Sequence, residues 1–283
     1  MGDLEMKKSL RRILAAALLS WVGSAVAQHL DVKVSTSAGP VAGSAIQLDV
    51  YGNLAWYVAN AGGLPIEHAT GRRIFPANFA DPAGGPYSTD NPGFQSFAGQ
   101  FVRDEELHFR AQGILRYLAV GATDWVTAPY GGVRLFGAIP DDIVFDYVFN
   151  GTRQAEYEFY EAGTLFSGTG ITGPVTAPIG AASAFGSMHY HLDWDLEGSS
   201  AQAAKGAYLL TMSVFSTAMA GSTPKYIESE PFNVLFRNGI TDQQFGAAMQ
   251  TLTASPAPEP STWAMLGSGF LLTAWASRRR LRR

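Results

Sequence analysis

Between residues 28 and 253 the apolar residues come in short alternating runs cut by glycine and proline, and this punctuation points to a mainly β fold. The sequence holds 31 Gly and 15 Pro, breakers that leave little room for long helices. Residues 29–34, 46–51, 54–58, 114–120, 143–149, 155–161, 188–196, 207–215 and 230–237 read as strands. Asn150-Gly151, flanked by alternating residues on both sides, predicts a β-hairpin, because Asn-Gly accepts the two positive φ values of a type I′ turn. Residues 65–100, rich in Gly, Pro and Asn, predict long surface loops. One helix is expected from Asp242 to about Leu252, with Phe245, Met249 and Leu252 on one face and Thr241 or Asp242 as its cap. Roughly 230 residues suffice for one such unit. The expectation is a single antiparallel β-sandwich, jelly-roll-like, over residues 28–253, with one short C-terminal helix.

The two ends follow a different logic. Lys7, Lys8, Arg11 and Arg12 precede an apolar core from Ile13 to Val22 and a small-residue site at Ala25-Val26-Ala27. This is the pattern of a secretory signal peptide over residues 1–27, cleaved after Ala27. At the other end, a proline-bearing linker over residues 254–261 contains Pro258-Glu259-Pro260. Residues 262–283 then run apolar to Ala276 and close on Arg278, Arg279, Arg280, Arg282 and Arg283. Arginines resist transfer and hold the cytoplasmic side, and the apolar span falls short of the roughly 20 residues of a permanent transmembrane helix. Tripeptide, apolar span and arginine cluster, in that order, resemble the PEP-CTERM sorting signal that exosortase-type enzymes process in Gram-negative bacteria. The resemblance implies export machinery and an exosortase-type enzyme as partners. It also implies a place at the cell surface or in the extracellular matrix, with the C-terminal segment in the membrane permanently or transiently.

Charge narrows the function classes. Of the 20 basic and 24 acidic residues, four basic and two acidic precede Gln28 and five basic follow Pro260, which leaves 11 basic against 22 acidic between them. Such a surface repels nucleic acid and suits cations or a hydrated matrix. The absence of cysteine excludes disulfides and thiolate metal sites.

The chemistry-bearing stretch is Met188 to Leu196. Alternation along one strand puts Met188, Tyr190, Leu192, Trp194 and Leu196 toward the core and His189, His191, Asp193 and Asp195 outward. Two imidazoles about 6.6 Å apart along a strand can converge on one ion. A plain polar outer face explains the same residues without a ligand. His29 and Asp31 repeat the i, i+2 pattern near the mature start. If that strand lies beside the His189 strand, His29, Asp31, His189 and His191 could surround one divalent metal, with zinc suiting the nitrogen and oxygen set better than calcium.

His29-Leu30-Asp31-Val32, then His189-Tyr190-His191-Leu192-Asp193-Trp194 and Gly206-Ala207-Tyr208, also resemble a domain of bacterial surface-anchored proteins with His-x-Asp and His-x-His-x-x-Trp blocks. Such proteins are often encoded with metal-type ABC transporters, so the resemblance implies metal handling and a metal-uptake transporter as partner. Asp195-Leu196 departs from the aromatic-Phe ending of that block.

Other signals are weaker. Gly168 to Gly173 matches GxGxxG but opens no helix and reads as a loop. Asp104-Glu105-Glu106 lacks the spacing of a calcium loop and reads as a solvated turn. Trp56, Trp125 and Trp194 suit core packing better than a sugar platform. The expectation is a protein that is not an enzyme, binding zinc for capture or delivery. The alternative is a structural or adhesive matrix (biofilm) protein without metal. A metal hydrolase using Asp193 as base is disfavoured.

Overall fold

The computed structural model describes residues 31–51, 63–79, 87–198 and 204–254. The signal peptide, His29, the expected strand at 54–58, Trp56 and the sorting segment lie outside them. In chain order, β1 (Asp31–Thr36) and β2 (Ser44–Tyr51) precede β3 (Ile74–Asn78), β4 (Ser88–Thr89) and β5 (Gly93–Ser96). Next come β6 (Glu106–Ala119), β7 (Val126–Thr127) and β8 (Gly132–Phe136), then helices α1 (Asp141–Asn150) and α2 (Gln154–Glu161). β9 (Thr164–Ser167), β10 (Gly170–Thr172), β11 (Thr176–Ala181), β12 (Met188–Tyr190) and β13 (Asp193–Glu197) follow. The described chain ends with β14 (Gly206–Ser216), β15 (Met219–Ala220), β16 (Thr223–Pro224), β17 (Tyr226–Ile227), β18 (Phe232–Asn238) and α3 (Asp242–Thr253).

The architecture is mainly β, as expected. Curled sheets run in the orders β12-β5-β1-β2-β17, β10-β9-β8-β13-β4 and β11-β6-β14-β18-β3, with β7 beside β6. Most ladders are antiparallel, but β1–β5, β2–β17 and β3–β18 are parallel. One apolar core joins the three sheets: Val32 and Phe94 from the first, Val133, Phe166 and Trp194 from the second, Phe109, Val214 and Phe236 from the third. The opposite face of the third sheet is also covered. Ile74, Leu209 and Leu235 pack there against Phe245, Ala248, Met249 and Leu252 of α3. Burial on both faces accounts for the consecutive apolar residues Ala207 to Leu210 of β14 and Val234 to Phe236 of β18.

Helix α3 matches its sequence signals. Thr241 Oγ1 accepts from the Gln244 N–H at 3.2 Å and Gln244 Oε1 accepts from the Thr241 N–H at 2.9 Å, a capping box.

Three expectations are corrected. The hairpin at Asn150-Gly151 is a pair of helices, so among the described residues there are three helices instead of one. Pro140 followed by Asp141 and Asp142 starts α1, an acidic first turn suited to a helix N-terminus. Gly151, at φ 63°, supplies the left-handed residue that ends it. The same dipeptide serves either device, and the Pro-Asp-Asp start decides. The span 65–100 is not all loop, since it contributes β3, β4 and β5. Strand β3 was hidden by Pro76, which is tolerated because β3 lies at the end of its sheet order. The GxGxxG stretch holds the turn of the β9–β10 hairpin, followed by β11 and no helix.

Residues 188–196 are not one strand. The chain leaves the first sheet after Tyr190 and enters the second at Asp193. Met188, Leu192, Trp194 and Leu196 are buried as expected, whereas Tyr190 is partly exposed. The alternation carries across the break at His191-Leu192, with Tyr190 as its exception. Among the described residues no helix is long and apolar enough to cross a membrane.

Candidate metal centre

Strand β1 does not lie beside β12, as the sequence reading required; β5 runs between them. Asp31 pairs with Gly93 on β5, and Tyr190 of β12 pairs with Phe94. One further step of that register sets His191 on the other side of Gly93. Asp31, Gly93 and His191 therefore form a row across the sheet, its outer members about two strand spacings, roughly 10 Å, apart at the backbone. Their side chains meet because the middle position has none. A Cβ on Gly93 would lie 2.7 Å from Asp31 Oδ1 and 2.9 Å from His191 Nδ1.

His189 reaches the same point from the neighbouring row, Lys33–Gln95–His189. Its Nε2 lies 3.3 Å from Asp31 Oδ2 and 2.9 Å from His191 Nε2, and His191 Nε2 lies 3.8 Å from Asp31 Oδ1. Ligand atoms of Asp31, His189 and His191 fall within 4.8 Å of one another, the one such group among the described residues. Ligand atoms on a tetrahedral zinc at 2.0–2.1 Å stand about 3.3 Å apart, so this set matches that scale. On its far side, His191 Nδ1 lies 3.0 Å from the Asp90 carbonyl oxygen and 3.6 Å from Asp90 Oδ2. A carbonyl only accepts, so Nδ1 carries the proton and Nε2 turns its lone pair toward Asp31 and His189.

Burial grades the three groups. The Asp31 side chain is 4 % exposed, His191 24 % and His189 52 %. Asp31 Oδ1 is buried and has no hydrogen-bond partner among the described residues. Two other carboxylates show what a satisfied one looks like. Glu67 accepts from Arg116 Nη1 at 2.6 Å, Thr70 Oγ1 at 2.5 Å and Asn233 Nδ2 at 2.9 Å. Burial pushes its pKa up, but these hydrogen bonds and the Arg116 charge outweigh it and hold the carboxyl below the usual value. Glu105 is likewise held low against its burial, by Lys225, the Tyr226 hydroxyl and the Val102 N–H. That carboxylate is engaged, so the reading of Asp104-Glu105-Glu106 as a solvated turn fails at its middle residue.

The remaining sequence candidates lie elsewhere. Asp193 and Asp195 belong to β13 in the second sheet. Two further histidines, isolated in the sequence, are not part of the centre: His108 is hydrogen-bonded to Glu106 at 2.9 Å, and His68 is exposed. Trp194 is buried and Trp125 half-buried, its indole N–H donating to Thr251 Oγ1. Sequence reasoning missed Gly93 and Asp90. The signal for both, Asp90-Asn91-Pro92-Gly93, acquires meaning once β5 is known to pair with β1.

A family model described as the PEP-CTERM protein-sorting motif matches residues 256–280. The chain carries that motif. It is thereby an exported protein, processed by exosortase and sorted to the membrane-associated surface of a Gram-negative cell. No curated protein and no solved structure matches the chain. Nothing in these comparisons supports the likeness of the mature domain to a metal-transporter-associated domain, or a transporter as partner.

Proposed function

We propose that this surface-sorted protein binds a divalent cation, zinc foremost, without catalysing a reaction, through Asp31, His189 and His191. His29, two residues before Asp31, is the candidate fourth ligand. The observation that carries the reading is the buried Asp31 carboxylate: Oδ1 is an acceptor with no donor among the described residues and lies 3.8 Å from His191 Nε2, while Oδ2 lies 3.3 Å from His189 Nε2. A buried acceptor left unsatisfied costs about 1–3 kcal/mol, and a cation held between these groups removes that cost. Two imidazoles and one carboxylate form a borderline donor set that suits zinc better than calcium. The role is capture or delivery, not hydrolysis. Asp90 meets the His191 ring at Nδ1, on the side away from Asp31 and His189, where it orients the ring.

Elemental analysis of the full chain, purified without chelator, tests this. One zinc per chain is expected in the wild type and none in the His189→Ala/His191→Ala double variant. Equal zinc in the two proteins sinks the reading. A matrix role without metal is favoured by the exposed Phe145, Val148 and Phe149 of α1. Under that reading the double variant keeps full surface and matrix attachment.

A further inference from the structure

Between α3 and the turn that leaves β6 lies a groove of about 580 Å³, lined by Val120 and Ala122 of the turn, Ala247 and Ala254 of the helix side, and the buried Leu118 and Ala207. Among the described residues no Asp, Glu, Lys or Arg lines it. Three of its four polar side chains are hydrogen-bonded within the domain, and the fourth, Gln250, is exposed. Gln244 Oε1 accepts from the Thr241 N–H at 2.9 Å, and Thr123 Oγ1 donates to Asp124 Oδ2 at 3.4 Å. The Thr251 hydroxyl donates to Ala248 O at 2.7 Å and accepts from the Trp125 indole N–H at 2.8 Å. What the groove offers a ligand is mainly methyl and methylene surface, and Val120 stands 49 % exposed beside it. The two charged residues next to the lining in sequence, Asp124 and Lys205, are exposed and opposite in sign. Such a rim suits a zwitterion better than an ion of either sign.

The route of the chain selects the occupant. Ala254 lines the groove and is the last described residue, and seven residues, 255–261, join it to the apolar span. Seven residues reach at most about 25 Å, less than the roughly 40 Å width of a domain this size. While the span is in the membrane, the groove therefore stays on the membrane side of the domain. A second copy is a poorer occupant, because 22 acidic against 11 basic residues between Gln28 and Pro260 make two copies repel. We propose that this groove docks on the bilayer and takes an acyl chain of a zwitterionic phospholipid, with Val120 entering the apolar layer. The domain then rests on the membrane instead of swinging from its tether. The proposal stands apart from the metal reading, since no candidate metal ligand lines the groove.

The chain has no cysteine, so Ala247→Cys gives a single attachment point in the groove for a benzophenone. Gln47→Cys, exposed on β2, gives a control on another sheet. The exported chain, its C-terminal segment intact, is reconstituted in vesicles of phosphatidylcholine and phosphatidylethanolamine, irradiated and read by mass spectrometry. The probe at position 247 should gain a phospholipid mass at least about tenfold more often than the probe at position 47. Val120→Asp should cut that yield by about tenfold or more, the loss expected when one valine-sized apolar contact is removed. Val120 is half-exposed, so the melting temperature of Val120→Asp should match the wild type. A cross-link from position 247 to residues 255–261 or to a second copy, equal lipid yields at the two positions, an undiminished yield in Val120→Asp, or no adduct at position 247 overturns the proposal.

Discussion

Asp31 and Gly93 face each other across the β1–β5 ladder, and the carboxylate of the first turns into the space that the second leaves free. His191 enters that space from the opposite side. The centre thus depends on an absent side chain as much as on the three that are present.

Gly93→Ala should therefore abolish zinc binding while leaving every ligand in the sequence. The added methyl contacts Asp31 Oδ1 and the His191 ring, so one of them must withdraw. Overpacking of this kind costs about 1–3 kcal/mol. Zinc content and thermal melting of the purified variant check this, and full zinc loading would show that the row is not where the ligands converge.

Asp31→Asn separates cost from benefit. In the presence of chelator the substitution should leave melting unchanged or raise it, because a buried carboxylate with an unsatisfied oxygen is replaced by a neutral amide. Zinc at about 100 times its dissociation constant stabilises a folded protein by roughly 2.7 kcal/mol, and only the wild type should show that gain. Melting curves with and without zinc read both arms.

Glu67 sets an acid limit. Its folded pKa lies below the ordinary glutamate value. Its stabilising contribution is thus complete above that ordinary value, about 4.3, and disappears as pH falls through the depressed folded value. Glu67→Gln should flatten the acid limb of a stability-versus-pH curve measured by urea melts. Near neutral pH it should cost about 2–4 kcal/mol, since Arg116 loses its partner. An unchanged acid limb would remove Glu67 from the account.

The α1–α2 pair yields a backbone test. In a type I′ hairpin both Asn150 and Gly151 would need positive φ, whereas here Gly151 alone does. Asn150→Ala should change stability by no more than about 0.5 kcal/mol, and Gly151→Ala should cost about 1–2 kcal/mol. A large loss for Asn150→Ala in chemical melts would restore the hairpin.

What was legible in the sequence was local. The Thr241 cap and the Phe245, Met249 and Leu252 face announce α3, and Ala207 to Phe215 marks the strand that became β14. The His-x-His pair and Asp31 were visible as candidates, because donor chemistry is written in residue type. Their meeting was not, because it passes through β5, a four-residue strand after Pro92 whose partners lie about sixty residues before it and ninety after. The 143–161 segment failed for another reason. Its alternating residues satisfy strand and helix patterns over so short a window, and Pro140 with two aspartates outweighed the turn dipeptide.

The last described helix carries a mechanical consequence. Chain 255–283 continues from α3, which rests on the third sheet through Phe245, Ala248, Met249 and Leu252. Any tug transmitted from the tethered end of this protein reaches those four side chains before it reaches the triple-sheet core. The helix can peel away as a sacrificial link while the strands bearing Asp31 and His189 keep their shape.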